Sequence, residues 1–410
     1  MIEPMSSSGW SVLRLHDFRA FVLARISTVL ALQMQSVAMG WFVYDMTKSA
    51  WALGFVGLAA FLPAPVLALV TGQVADRYDR RKVIASGYSV ACVVSLGMLA
   101  CVWLKIAEIW PIFLLTMLQG AARAFYMPAT QAILPGLLPR DSLSGGLALS
   151  SSTMQTGTVL GPALGGLLYV LGPDVVFGVG AICFALGTLS ILSIKARPPV
   201  VAREPITWPH LLGGIHFIKS QPVILGAISL DLFAVLLGGA TALLPMFAQD
   251  VLNVGPEGLG LLRAAPACGS ITMALMLTQW PIRRKAGPLL FSAIILFGVA
   301  MIGFGLSTVF WLSMLCLYLS GLADMISVNI RQSLVQGNTP DAMRGRVSAV
   351  TTVFIGASNE LGEFESGVLA ALVGAVPAVV IGGVGTILIA ALWTRLFPAL
   401  AARDGLLNEG

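Results

Sequence analysis

Apolar residues in this chain neither alternate nor form narrow helical stripes. They run in long blocks separated by short polar links. A helix that crosses a bilayer needs about twenty largely apolar residues. Twelve blocks meet that length, near 18–44, 51–75, 83–104, 110–130, 143–170, 174–195, 221–249, 257–280, 288–307, 309–334, 345–371 and 375–396. Because most links are short, sequence neighbours are expected to pack antiparallel. The longest polar link, 197–219, carries Pro198, Pro199, Pro205 and Pro209, which reads as a linker between two bundles. A short surface helix is expected within it, near Trp208–Lys219. The predicted organisation is a tail (1–17), a six-helix bundle (18–196), the linker (197–219), a second six-helix bundle (220–397) and a tail (398–410).

Composition changes the solvent rather than the helices. Of 410 residues, 57% are hydrophobic and only 10% charged, against roughly 25% charged in soluble proteins. Mean hydropathy is +0.89. Too few charges exist to cover a surface in water, so the expected class is an all-α membrane protein. The polar tail through His16 and Asp17 and the length of the first block argue against a cleavable leader.

The 24 Lys and Arg residues are unevenly placed. Four lie inside blocks (Arg25, Arg123, Arg263, Arg331), and Lys48 and Lys105 lie on one side. All the others lie on the opposite side, clustered around Arg77–Lys82, Arg140, Lys195–Arg203, Arg283–Lys285, Arg344–Arg346 and the termini. The positive-inside rule then puts both termini and the central link in the cytoplasm, so the number of spans is even. The expected location is a bacterial inner membrane.

An internal repeat divides the chain in two. A shift of 201 residues places Gly120 on Gly321, Gln131 on Gln332, Pro139 on Pro340, Gly161 on Gly362 and Gly166 on Gly367. A shift of 203 places Arg80–Lys82 on Arg283–Lys285. Two parallel six-helix halves are a known transporter plan, with substrate held near mid-membrane between them.

Enzymatic chemistry is not expected. Phosphate-binding, dinucleotide-binding, zinc-protease and nucleophile-elbow motifs are absent from the sequence. Cys92, Cys101, Cys183, Cys268 and Cys316 lie in apolar runs without a C-x-x-C pair, and read as packing residues. His16, His210 and His216 all fall outside the blocks. No metal or cofactor and no nucleic-acid partner is therefore expected, and any proton chemistry inside the membrane must use carboxylates.

Two motifs carry a mechanism. The link after the second block holds Gly72, Asp76, Arg77, Asp79, Arg80 and Arg81. It resembles the G-x-x-x-D-R-x-G-R-R/K signature of the major facilitator superfamily, with Asp79 in place of the second glycine. Gly72 allows close helix approach, Asp76 can cap a helix or hold Arg80, and the arginines hold the cytoplasmic face. This loop reads as a cytoplasmic gate. The fifth block holds Gly157, Gly161, Pro162, Gly165 and Gly166, and resembles the antiporter motif of drug–proton exchangers in that superfamily. Its small residues permit close packing, and Pro162 permits a bend.

Gln33 and Gln35, the Arg123–Ala129 stretch and the Leu134–Arg140 loop are similar to the superfamily branch that includes the enterobactin exporter and macrolide efflux proteins. The similarity covers nearly the whole chain. It implies twelve transmembrane helices in two pseudo-symmetric bundles (the major facilitator fold) and proton-coupled export of amphipathic molecules such as drugs or siderophores.

An ionised side chain at mid-bilayer costs about 2.5–3.5 kcal/mol on insertion scales, so those present should face a cavity or one another. They are Arg123, Asp231, Asp324, Arg331, Glu360, Glu363 and Glu365; Arg25 and Arg263 lie nearer helix ends and read as snorkelling. Asp231, Asp324, Glu360 and Glu363 are the candidate proton carriers. Gln33, Gln35, Arg123, Tyr126 and Arg331 are the candidate substrate-cavity residues. Arg123 and Asp324 coincide under the 201-residue shift and are expected to face each other or share a partner across the pathway. Glu360 and Glu363 share a helix face, whereas Glu365 points elsewhere, and at least one of the three is expected to be protonated or paired, with Arg263 or Arg331 as candidate partners. The leading reading is a monomeric proton-coupled exporter of small molecules. Import of an iron-chelate or nutrient is the alternative, and a membrane receptor or scaffold is the alternative of another class.

Overall fold

The computed structural model describes residues 11–106, 108–196 and 208–405. All regular structure among them is helical. Twelve long helical segments coincide with the twelve apolar blocks. They are α1 (His16–Thr47), α2 with α3 (Ala50–Phe61, Pro63–Arg77), α4 (Arg80–Trp103), α5 (Trp110–Ile133), α6 (Leu143–Tyr169) and α7 (Pro173–Leu192). After α8 (Trp208–Ser220) follow α9 with α10 (Pro222–Gly238, Leu244–Met246), α11 (Pro256–Gln279), α12 (Ala286–Leu306), α13 (Phe310–Gly337), α14 (Asp341–Val373), α15 (Ala375–Leu396) and a final turn, α16 (Pro398–Ala401).

Proline sets many of the boundaries. It stands in the first turn of α3, α5, α7, α9 and α11, where the missing N–H has no helical acceptor to lose. Pro63 also splits the second span. The seventh span differs more from expectation. α9 stops at Gly238, and a 3-10 turn, α10 and a π-helical turn (Phe247–Val251) follow, because Gly238, Gly239 and Pro245 interrupt the regular ladder. α6–α7 and α14–α15 are joined through glycines with positive φ, Gly172 (+133°) and Gly374 (+92°), 202 residues apart.

Nine described segments are long and apolar enough by themselves to cross a membrane. α5, α6 and α14 are as long but more polar. α6 exposes Ser151, Ser152, Gln155 and Thr156, side chains that suit an aqueous pathway better than lipid.

Contacts divide the chain into two units. The first comprises 1–39 and 59–206. In it α4 packs on α5 and α7, and α3 on α5, around Phe18, Phe21, Ile84, Tyr88, Ile133 and Ile191. The second comprises 40–58 and 207–410. There α11 and α12 pack on α13, and α9 and α12 on α15, around Leu230, Leu290, Phe291, Ile330 and Leu334. The expected surface helix, α8, seats Ile215 and Ile218 on Ile224, Val347 and Val350. Segment 40–58 differs from the sequence-based halves because glycines dock it within the second unit: a Cβ on Gly40 would meet Pro245, and one on Gly54 would meet Phe364 and Gly367.

The repeat is visible inside each unit. Gly120 of α5 lies on the main-chain carbonyl of Ala60, and Gly321 of α13 lies on that of Pro266. Gly161 of α6 lies on Leu30 and Gln33 of α1, and Gly362 of α14 on Val235 and Leu236 of α9.

Candidate transport and coupling site

In the second unit, α9 is apolar except for Ser229 and Asp231. Asp231 is its tenth residue, about 14 Å along the axis, and is buried (7% exposed). A carboxylate there needs a cation, and α13 supplies one: Arg331 Nη1 forms an ion pair with Asp231 Oδ1. Arg331 is itself buried (4% exposed), and its Nε has no hydrogen-bond partner. Two turns back on α13, Asp324 joins Asp231 in lining a cavity of about 20 Å³ with Ala234, Phe297 and Ser327. That volume suits one water. Two carboxylates and one guanidinium thus cluster between three packed helices, with one negative charge in excess when both acids are ionised.

In the first unit, the glycines of α6 form a ridge against α1. A Cβ on Gly157 would meet Val29, one on Gly161 would meet Gln33, and one on Gly165 would come within 2.7 Å of the Met34 backbone. Pro162 and Gly166 are buried in the same helix. Gln33 therefore sits in a helix crossing. Gln35, expected on a cavity wall, is turned into the bundle, where Nε2 donates to Ser95 Oγ at 2.6 Å. Tyr126, expected beside it, is also buried. Its ring packs edge-on against Tyr88 at 4.9 Å, because Gly87 leaves room for it. Arg123 is exposed and its Nε points to Met127 Sδ at 3.4 Å. Arg123 lies in the first unit and Asp324 in the second. The acid paired with the guanidinium of α13 is Asp231.

A model of the family described as transmembrane secretion effector matches residues 7–405. The chain belongs to that family of the major facilitator superfamily. This secretion effector is 29% identical over 382 residues to an enterobactin exporter of Citrobacter koseri, covering 91% of this chain and 90% of that one. It is 28% identical over 384 residues to the enterobactin exporter of Escherichia coli O81, with the same coverage. In fold it resembles the nucleoside transporter NupG (D323A mutant; TM-score 0.74, 14% identity, 93% and 100% of the two chains). It also resembles a bacterial homologue of the lysosomal transporter Spinster (TM-score 0.74, 15% identity, 97% and 99%). The protein is thus a multi-pass secondary transporter and not an enzyme.

Two further charge clusters of the secretion effector were only partly legible in its sequence. Arg263, read from the sequence both as snorkelling and as a possible partner of the α14 glutamates, lies within electrostatic reach of Glu363 and Glu360, and a Cβ on Gly57 would touch the Glu363 carboxylate at 3.1 Å. Within the docked segment, Tyr44 donates its hydroxyl to Asp250, and Lys48 Nζ reaches Gln249 Oε1 (2.7 Å) and Asp45 (3.0 Å). Sequence reasoning missed Tyr44 and Asp250. The available signal was a carboxylate at the end of a glycine- and proline-broken span.

The cytoplasmic loop also departs from expectation. The side chain of Asp76 and the environment of Gly72 lie outside the described residues. Arg77 ends α3 and is exposed. Arg80 Nη1 donates to the Ala132 carbonyl at 3.0 Å, and Arg81 Nη1 to that of Ile194 at 2.5 Å. Asp79, the departure from the motif, is the cap of α4: its carboxylate accepts from the Arg81 N–H (3.0 Å) and from Arg81 Nη2 (2.8 Å). The Arg81 hydrogen bond holds the Asp79 carboxyl below the usual carboxylate range. A depressed pKa in the folded state stabilises above the unfolded value and is lost as pH falls through the folded one. Asp79→Ala is therefore expected to cost about 1 kcal/mol at pH 7. The difference from wild type should shrink below about pH 4, as read by thermal unfolding in detergent.

Proposed function

We propose that this secretion effector exports amphipathic small molecules in exchange for protons, by alternating access in a bacterial inner membrane with both termini in the cytoplasm. The observation that carries the coupling is the buried Asp231–Arg331 ion pair beside a water-sized cavity that Asp231 and Asp324 line together. In the absence of an added proton the guanidinium neutralises Asp231, and Asp324 keeps the excess charge. A proton taken up from outside neutralises that excess at Asp324 and, passed across the shared cavity to Asp231, breaks the pair with Arg331. The packing of α9 against α13 then depends on protonation, and so does the preference of the second unit for one of its states. Release of the proton to the cytoplasm restores the ion pair.

Export as the direction is supported by the glycine ridge of α6 and by the exporters among the similar proteins. Those relatives export enterobactin, and the substrate expected here is a small organic molecule of that kind. The lysine and arginine bias supports the orientation. The test is efflux of an amphipathic dye from proteoliposomes under an imposed pH gradient. Asp324→Asn should abolish the gradient dependence, and gradient-driven efflux that survives both Asp231→Asn and Asp324→Asn would refute the assignment.

A further inference from the structure

Charge inside the helices is divided between the units. Between the terminal turns of its helices the first unit carries Arg25 and Arg123 and no carboxylate, whereas Asp231, Asp324, Glu360, Glu363 and Glu365 all belong to the second. Arg331 and Arg263 have acids beside them. Arg25 does not. It is the tenth residue of α1, and instead of snorkelling to the cytoplasm its Nη2 points across to Met154 Sδ of α6 at 3.3 Å. Its other contact is the face of Phe21, with the guanidinium carbon 6.0 Å from the ring centroid. Its Nε is buried and makes no hydrogen bond. A thioether is a weak acceptor and a ring face offers no lone pair. Among the described residues, then, this guanidinium has donors to spare and no anion to receive them.

The surroundings suit a ligand. Met154 is exposed, as are Ser151 and Gln155 of the same helix. The next contacts along the same α1–α6 crossing are those of the glycine ridge, at Val29 and Gln33. Arg25 also acts electrostatically on Tyr88, which packs on Tyr126 beside Arg123. The geometry points to an organic-anion subsite at Arg25: a carboxylate or phenolate of the exported molecule displaces Met154 sulfur from the guanidinium, while its apolar part lies on Met154 and Phe21. This rests on the export reading and gives it a substrate class, amphipathic monoanions. Substrate charge is then held by the first unit and proton charge by the second.

The test uses coumarin-3-carboxylate and its neutral isostere coumarin-3-carboxamide, with the purified full-length protein in detergent for binding and in proteoliposomes for efflux. Wild type should prefer the acid. Arg25→Gln should weaken acid binding by about tenfold or more, the worth of a charge-assisted hydrogen bond. It should leave the amide unchanged, and Arg25→Lys should retain part of the preference. Equal handling of acid and amide by wild type would overturn the subsite but leave export standing. So would a loss in Arg25→Gln that is the same for both probes, which marks a packing role. Absence of efflux for both probes and for neutral and cationic dyes would sink the export reading itself.

Discussion

Arg331→Met is expected to destabilise the protein by about 3–5 kcal/mol, a change that thermal unfolding of the detergent-purified protein would register as a large fall in Tm. The cause is what remains. Asp231 is buried between α9 and α13, and the guanidinium of Arg331 is the cation paired with it. Removing the cation leaves a carboxylate in an apolar, water-poor place with room for about one water. The double variant Asp231→Asn with Arg331→Met should recover most of the loss, since replacing a whole buried pair is often close to neutral. A single variant as stable as wild type would mean that Asp231 finds another partner.

Gly321→Ala is expected to be nearly as damaging, for a steric reason. The added methyl would point into the main-chain carbonyl of Pro266, and Ser270 Oγ already ties the two helices by donating to the Gly321 carbonyl at 3.0 Å. A backbone cannot swing aside as a side chain can. Overpacking of this kind costs about 1–3 kcal/mol and more when helices must separate. Gly120→Ala should behave alike, because Gly120 meets Ala60 in the corresponding place of the first unit. Gly356→Ala is the control: it lies within α14 with nothing within 4 Å of its Cβ position, and helix propensity alone favours alanine there by about 1 kcal/mol. Size-exclusion profiles and Tm values for the three variants read the contrast directly.

The helices were legible because bilayer thickness imposes a length that soluble structure does not, and proline and glycine punctuate it. The repeat was legible because helix crossings demand the same small residue in both halves, as at Gly120 and Gly321. Partnership among the charges was not. The repeat singles out Arg123 and Asp324 but does not name the Asp231–Arg331 pair, because pairing depends on which faces of non-consecutive helices turn together. Arg25 was judged by distance from a helix end, which ignores the neighbour that its side chain meets. Asp79 looked like damage to a glycine motif, although an aspartate just before Arg80–Lys82 is an ordinary helix cap. Segment 40–58 is continuous with the first-half helices in sequence, and its contacts, at glycines and at Tyr44 and Lys48, assign it to the second unit.

The measurement that bears most directly on the coupling account is dye efflux from proteoliposomes with and without a pH gradient, for wild type, Asp231→Asn and Asp324→Asn. The account predicts efflux driven by inward proton flow in wild type and loss of the gradient dependence in Asp324→Asn, with Asp231→Asn impaired as well. Wild-type efflux indifferent to the gradient, or full gradient-driven efflux in both variants, would contradict it.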